Sequence, residues 1–203
     1  MIFDKNKPLS FVPIPRTAST AIAKYVGEFY KSKNIELKVL PFAHKGLNSY
    51  LYDNRKAARH SFAFVRNPYS RAVSMYMALC GEGEGFQQLR RQVRQLGSFE
   101  VFCEKLSSLG ESKEGYYLLP QTARLHRGVK CYLSFIGCYE CLKEDFNRIF
   151  RQLGFGLKWK VHPPKNCLGE KYKDFYRDDR TIKIVREFYQ RDFDLLGYDP
   201  DRL

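Results

Sequence analysis

Apolar and polar positions change their period several times along this chain, and each change marks an element. Leu9–Ile14 (LSFVPI) is short and almost wholly apolar, the pattern of a buried strand. From Ser19 the apolar residues Ala21, Ile22, Tyr25, Val26 and Phe29 recur at helical spacing, and this helix should fade near Lys33-Asn34. Glu36–Phe42 (ELKVLPF) predicts a second strand and Ser61–Val65 (SFAFV) a third. Pro68 suits the first turn of a helix that carries Ala72, Val73, Tyr76 and Leu79 on one face and stops at the glycines of 81–85. Residues 86–109 predict helix broken at Gly97-Ser98, with Ser98 as cap of the second piece. Tyr132–Gly137 (YLSFIG) predicts a fourth strand. Leu142–Leu153 predicts an amphipathic helix ended by Gly154. A Pro/Gly-rich loop covers 162–169, and Arg180–Phe193 predicts a last helix with Ile184, Val185, Phe188 and Tyr189 inside.

Strands that alternate with helices imply βαβ units, hence an α/β fold with a P-loop-like, mostly parallel central sheet flanked by helices. No repeat, low-complexity tract or linker interrupts the chain, so residues 1–203 read as one domain. In open sheets of this kind ligands sit beyond the carboxyl ends of the strands. Three loops then share one rim: Pro15–Ala18, Ala43–Gly46 and Arg66–Tyr69.

Composition adds a partner class. Lys and Arg number 35 against 22 Asp and Glu, a net charge of +13, with an isoelectric point near 9.5. Such a balance favours a polyanionic partner, whether nucleic acid, anionic glycan, nucleotide or membrane surface, without choosing among them. No apolar run approaches the ~18 residues of a membrane span, and MIFDKNKPLSFV lacks an apolar signal core. The expected location is therefore cytoplasmic, though a luminal catalytic fragment would read the same way. The six cysteines read as reduced, mostly buried thiols. Cys138-Tyr-Glu-Cys141 is a single CxxC pair, and zinc usually needs four ligands.

The candidate chemistry lies on the rim. Strand, then Pro-Arg-Thr-Ala-Ser-Thr, then helix is a way to hold an anion, because the first amides of a helix are unpaired and the dipole is positive there. Thr17, Ser19 and Thr20 add hydroxyls and Arg16 a fixed charge. The competing reading is an ordinary Ser/Thr helix cap beside a surface arginine. Arg66, Asn67, Ser70, Arg71 and Ser74 form a second cluster of donors suited to a phosphate. Its rival has Arg66 and Arg71 solvated or paired with acids such as Glu82 or Glu84.

Two such loops on one rim resemble a known family. PIPRTASTAI is similar to the 5′-phosphosulfate loop of sulfotransferases, usually Pro-Lys-Thr-Gly/Ala-Ser/Thr-Thr, and FAFVRNPYSRAVSMY resembles their 3′-phosphate motif. IGCYECLKEDFNRIFRQLG and YKDFYRDDRTIKIVREFYQRDFDLLGYD resemble later parts of the carbohydrate members (family 2, heparan 2-O-like). The resemblance spans about residues 11–199. It implies the sulfotransferase fold and the cofactor 3′-phosphoadenosine 5′-phosphosulfate (PAPS). Thr17, Ala18, Ser19, Thr20 and Ala21 would wrap the 5′-phosphosulfate, and Arg66 and Ser74 would hold the 3′-phosphate. Arg16 stands where the family usually has lysine; it keeps the charge near the leaving oxygen but differs in geometry and proton donation. Ala18 replaces the commoner glycine, so the turn should have ordinary negative φ there. HPPKNCLGEKY resembles a cofactor-covering loop with Lys165 and Asn166 inverted, and Lys165 is carried over on that basis.

A sulfuryl group carries less charge than a terminal phosphoryl, so cationic donors can serve without a metal, and none is expected. A base for the acceptor hydroxyl is still required. His44, just past the second predicted strand, matches where such glycan sulfotransferases place a catalytic histidine, and neutral imidazole can take a proton near pH 7. Its rival reading is a capping or surface histidine. His60 reads as structural, His126 and His162 as solvated loop residues, and Glu140 as a cap of the following helix. Gln121 and Arg124, beside Tyr116 and Tyr117, are the expected acceptor contacts, where the resemblance places them. Arg90, Arg91 and Arg94 read as a solvated helix face or as attraction for an anionic glycan.

The implied activity is sulfuryl transfer to a carbohydrate hydroxyl. A kinase with a degenerate P-loop is the first alternative, but G-x-x-x-x-G-K-[ST] and a metal-binding acid are missing. A basic nucleic-acid-binding module is the second, but no recognised motif accompanies the charge, and no nucleic-acid partner is expected.

Overall fold

A computed structural model describes residues 9–32, 60–160 and 169–203. The strand predicted at 36–42, the loop Ala43–Gly46, and His44, His162 and Lys165 lie outside them. In chain order the described elements are β1 (Ser10–Val12), α1 (Ser19–Lys31), β2 (Ser61–Val65), α2 (Pro68–Cys80), α3 (Gln87–Gln95), α4 (Phe99–Glu104), α5 (Leu106–Glu111), α6 (Thr122–Leu125), β3 (His126–Arg127), β4 (Lys130–Cys131), β5 (Phe135–Cys138), α7 (Leu142–Gln152), α8 (Asp179–Phe188) and α9 (Gln190–Leu196). Short 3₁₀ turns occupy Gly115–Tyr117, Tyr139–Cys141 and Gly169–Phe175. The chain divides into two compact units, Met1–Arg66 with Ala123–Lys165, and Asn67–Thr122 with Asn166–Leu203.

The first unit is built on a parallel sheet in the order β1-β2-β5. Ser10 pairs with Ser61 and Val12 with Ala63, while Phe62 pairs with Phe135 and Val65 with Cys138. All five residues of β2 are buried, as expected of a parallel strand covered on both faces. Phe11, Phe62 and Phe64 meet Ile22, Val26 and Tyr30 of α1 and Phe146, Ile149 and Phe150 of α7 in one core. Aromatic stacking sets its spacing: Phe146 and Phe150 lie 4.2 Å apart between centroids, and Phe62 meets Phe150 edge-on at 5.3 Å. Gly137 is dictated by this packing, because a Cβ there would come within 2.5 Å of the Phe64 ring.

The second unit is helical. Residues of α2, α3, α4, α8 and α9 share a core that includes Tyr69, Val73, Leu89, Phe102, Val185 and Phe193. A fully buried ion pair lies inside it. Arg71 Nη1 stands 3.8 Å from Asp192 Oδ2, and Arg71 Nη2 donates to the Leu119 carbonyl at 2.9 Å. Asp192 also accepts the N–H groups of Gln121 and Thr122 and the Thr122 hydroxyl, at 2.8–2.9 Å. This pair clamps the 118–122 segment to α2 and α9.

Several expectations change here. Arg71 is no phosphate donor and its acid is Asp192, not Glu82 or Glu84, because both side chains are fully enclosed. The first two turns of α2 are buried almost all round, Ser70, Arg71 and Ser74 included, so its inner face is wider than an amphipathic stripe. The final helix breaks at Tyr189, whose hydroxyl donates to the Leu118 carbonyl at 2.8 Å. His126 is 8% exposed within the hairpin β3–β4, not a solvated loop residue. Arg91 and Arg94 are exposed, as a solvated face requires, and Arg90 is half-buried, but two of the three also hold backbone carbonyls. Arg90 donates to the carbonyls of Ala78, Gly81 and Gly85, and Arg94 to those of Cys80 and Gly81. Cations thereby cap the negative end of α2.

Candidate active site

β1 hands the chain to α1 through Pro13–Ala18, and the local conformation is unusual. Arg16 has φ 68° and Ala18 φ 60°, ψ 18°, both in the left-handed region, with Thr17 between them at negative φ. Ala18 therefore does not take the ordinary negative φ expected of a non-glycine residue. The turn itself requires αL, and alanine holds it at a cost of about 1 kcal/mol. Alternating signs of φ point successive backbone N–H groups inward and form a concavity of the kind that binds anions.

The helix start confirms the local character. Ala18 is the N-cap of α1 and no side chain caps it, so the reading of an ordinary Ser/Thr cap is set aside. By contrast, Asn67 caps α2, Ser98 caps α4 and Asp178 caps α8, each accepting backbone N–H groups. The first-turn amides of α1, those of Ser19, Thr20 and Ala21, have no intrahelical acceptor, and no acidic residue stands in that turn. Thr17 is fully buried and its hydroxyl donates to the Ile14 carbonyl at 3.0 Å, which pins the turn from inside. Thr20 is exposed, and Arg16, Ala18, Ser19 and Ala21 are half-buried.

Arg66, one residue past β2, is only 4% exposed. Its Nη1 donates to the Arg16 carbonyl at 3.2 Å, and its guanidinium lies 4.3 Å from the centroid of the Tyr139 ring. Tyr139 directly follows β5. Because β1, β2 and β5 run parallel, the αL turn, Arg66 and Tyr139 gather at one edge of the sheet, beyond its carboxyl ends. The sequence brought Arg66 and the turn to this edge. Tyr139 was missed, although an aromatic just after the end of the fourth predicted strand was the available signal.

The other expected site residues fall as follows. Ser74 lies on α2 in the second unit, 4% exposed. Gln121 is fully buried, with its backbone N–H held by Asp192. Arg124 is half-buried on α6. Tyr116 and Tyr117 face Phe86, at 5.6 and 4.5 Å. His60 sits just before β2, where its carbonyl accepts the Ser10 N–H at 2.9 Å. Ahead of α7, Asp145 accepts the Cys138 N–H at 2.7 Å, and no side chain caps the helix start at Cys141. Among the described residues no group of three or more His, Cys, Asp and Glu is placed to hold a metal, and no helix is long and apolar enough to cross a membrane.

A parallel α/β sheet carries an uncapped, αL-entered helix and a buried arginine at its carboxyl edge, an arrangement whose chemistry suits anionic groups. The chain matches the family described as "Sulfotransferase family" over residues 1–199, and it belongs to that family. Its architecture is accordingly the sulfotransferase fold, and its activity is that of an enzyme transferring a sulfuryl group to a hydroxyl-bearing acceptor. Neither the curated proteins nor the solved structures gave a match.

Proposed function

We propose that this enzyme transfers sulfuryl from PAPS to a hydroxyl of a carbohydrate, as in the heparan 2-O-like branch of the carbohydrate sulfotransferases, and that residues 1–203 act as one catalytic domain. The family match spans residues 1–199, a range that takes in both compact units, which supports the single domain. One observation carries the cofactor reading. The Arg66 guanidinium is hydrogen-bonded to the carbonyl of Arg16, so the strand-end cation and the αL turn form one anion-binding edge.

The residues present fit a phosphosulfate. The amides of Thr17, Ala18, Ser19, Thr20 and Ala21 supply the concavity, and the Ser19 and Thr20 hydroxyls add donors. Thr17 contributes through its N–H, since its hydroxyl is engaged with Ile14. Arg66 and Ser74 hold the 3′-phosphate, and Lys165 adds a covering charge. When bound, PAPS supplies an activated sulfuryl group and a phosphate leaving group. Arg16 and the α1 amides neutralise the charge that gathers on the leaving oxygen, an electrostatic contribution that needs no proton donor. His44, as general base, takes the acceptor hydroxyl proton as the oxygen attacks in line. Arg124 and Gln121 serve the acceptor side. Arg124 does so directly, and Gln121, being enclosed, does so by fixing the segment that carries it.

Binding tests this reading. A ligand confined to the folded state adds ~2.7 kcal/mol of stability at a hundredfold excess over its dissociation constant. 3′-Phosphoadenosine 5′-phosphate should raise the melting temperature, whereas ATP with Mg²⁺ and a single-stranded oligonucleotide should not. A shift with ATP-Mg²⁺ and none with the bisphosphate would replace the PAPS reading by phosphoryl transfer.

A further inference from the structure

Cys138 and Cys141 bracket Tyr139, the ring on which Arg66 lies. Cys138 closes β5, and Cys141 ends the 3₁₀ turn Tyr139–Cys141 and is the N-cap of the 11-residue helix α7. Cys138 enters this turn with extended backbone, φ −95° and ψ 136°. A tight turn keeps Cα atoms three residues apart within about 7 Å, a reach that overlaps the roughly 4.4–6.8 Å that a disulfide spans. Cys141 is exposed and Cys138 half-buried. The remaining described cysteines are poorer partners. Burial pushes the thiols of Cys103 and Cys131 up, away from the reactive thiolate, and Cys80 lies in the other unit.

We propose that Cys138 and Cys141 form a redox-active dithiol that exchanges with small-molecule disulfides of the glutathione class. The exposed Cys141 thiolate attacks one sulfur of the small disulfide; a mixed disulfide forms and one small thiolate leaves. The Cys138 thiolate then attacks the Cys141 sulfur, forming the internal disulfide and expelling the second small thiolate. Two protein thiols are oxidised and one small disulfide is reduced to two thiols, the two protons lost by the protein thiols ending on the departing small thiolates. Cys138 thus acts as the resolving thiol. Without it an anionic tripeptide would stay attached two residues from Tyr139, beside the guanidinium of Arg66. This consequence for ligand binding rests on the PAPS reading; the exchange itself does not.

The experiment uses the full chain treated with oxidised glutathione, followed by peptide mapping and by titration with 3′-phosphoadenosine 5′-phosphate. Wild type should carry a 138–141 disulfide and bind the bisphosphate within about twofold of the reduced protein. Cys138→Ser should instead retain a glutathionyl group on Cys141 and lose at least tenfold in affinity, reversed by dithiothreitol. Cys141→Ser should gain neither modification at this turn. Thermal melting of each reduced variant confirms that it folds. Linkage through other cysteines, or unmodified Cys138 and Cys141 at an oxidising glutathione ratio, would overturn the exchange site. Normal exchange with no bisphosphate binding in any form would leave the dithiol standing and refute the cofactor reading instead.

Discussion

Ala18 is the residue at which the chain departs from the simplest expectation. A non-glycine residue should avoid positive φ, yet Ala18 has φ 60° as the N-cap of a helix that no side chain caps. Relief of that strain and the added freedom of glycine in the unfolded chain act in opposite directions and are of similar size. Ala18→Gly is therefore expected to change stability by less than about 1 kcal/mol, while Ala18→Val, β-branched in a left-handed well, should cost more. Urea unfolding of the two variants checks this. A full helix-interior penalty for the glycine variant would mean that Ala18 does not occupy the αL well. Arg16 shows the same economy: its backbone, also at positive φ, shapes the turn and accepts from Arg66, while its side chain supplies the charge.

At the level of elements, pattern alone revealed what depends on periodicity. β2 falls at Ser61–Val65 as expected, α2 starts at Pro68, Ser98 caps α4 with a 3.3 Å bond from the Val101 N–H, and Gly154 follows α7 with φ 73°. Long-range partners were not legible. Nothing near Arg71 in sequence signals Asp192, which is buried against it. Nothing around Arg90 and Arg94 signals the carbonyls of α2 that they hold. The short hairpin β3–β4 was equally silent, having only two residues per strand. Of the site, the turn and Arg66 were readable because each follows a strong strand signal, whereas Tyr139 depended on the sheet order β1-β2-β5.

Two predictions belong to this scale. Asp192→Ala strands the enclosed Arg71 charge and the N–H groups of Gln121 and Thr122, so about 3–5 kcal/mol of stability should be lost; a chemical-denaturation midpoint close to wild type would contradict it. Asp178 caps α8 by accepting from Thr181, whose backbone N–H and then hydroxyl hold the carboxyl below the ordinary aspartate range. A depressed folded pKa contributes stability that is complete above the unfolded value, near ~3.9, and that is lost as pH falls through the folded value. Asp178→Asn keeps the cap but cannot titrate. Its melting temperature should fall less steeply than wild type below about pH 4, and parallel curves would rule out this role.

The whole molecule combines a net charge of +13 with two units that each have their own core. The αL turn, Arg66 and Tyr139 come together in the unit that contains the sheet, at its carboxyl edge. The positive charge suits an anionic donor and an anionic acceptor chain alike. The most direct test follows release of 3′-phosphoadenosine 5′-phosphate from PAPS, with and without heparan-type oligosaccharide, by wild type, Arg66→Ala and His44→Ala. Wild type should release it only with the acceptor and leave sulfate on the sugar. Arg66→Ala should need at least tenfold more PAPS, and His44→Ala should bind PAPS normally but turn over at least a hundredfold more slowly. Acceptor-independent release, or wild-type kinetics in both variants, would contradict sulfuryl transfer at this edge with His44 as its base.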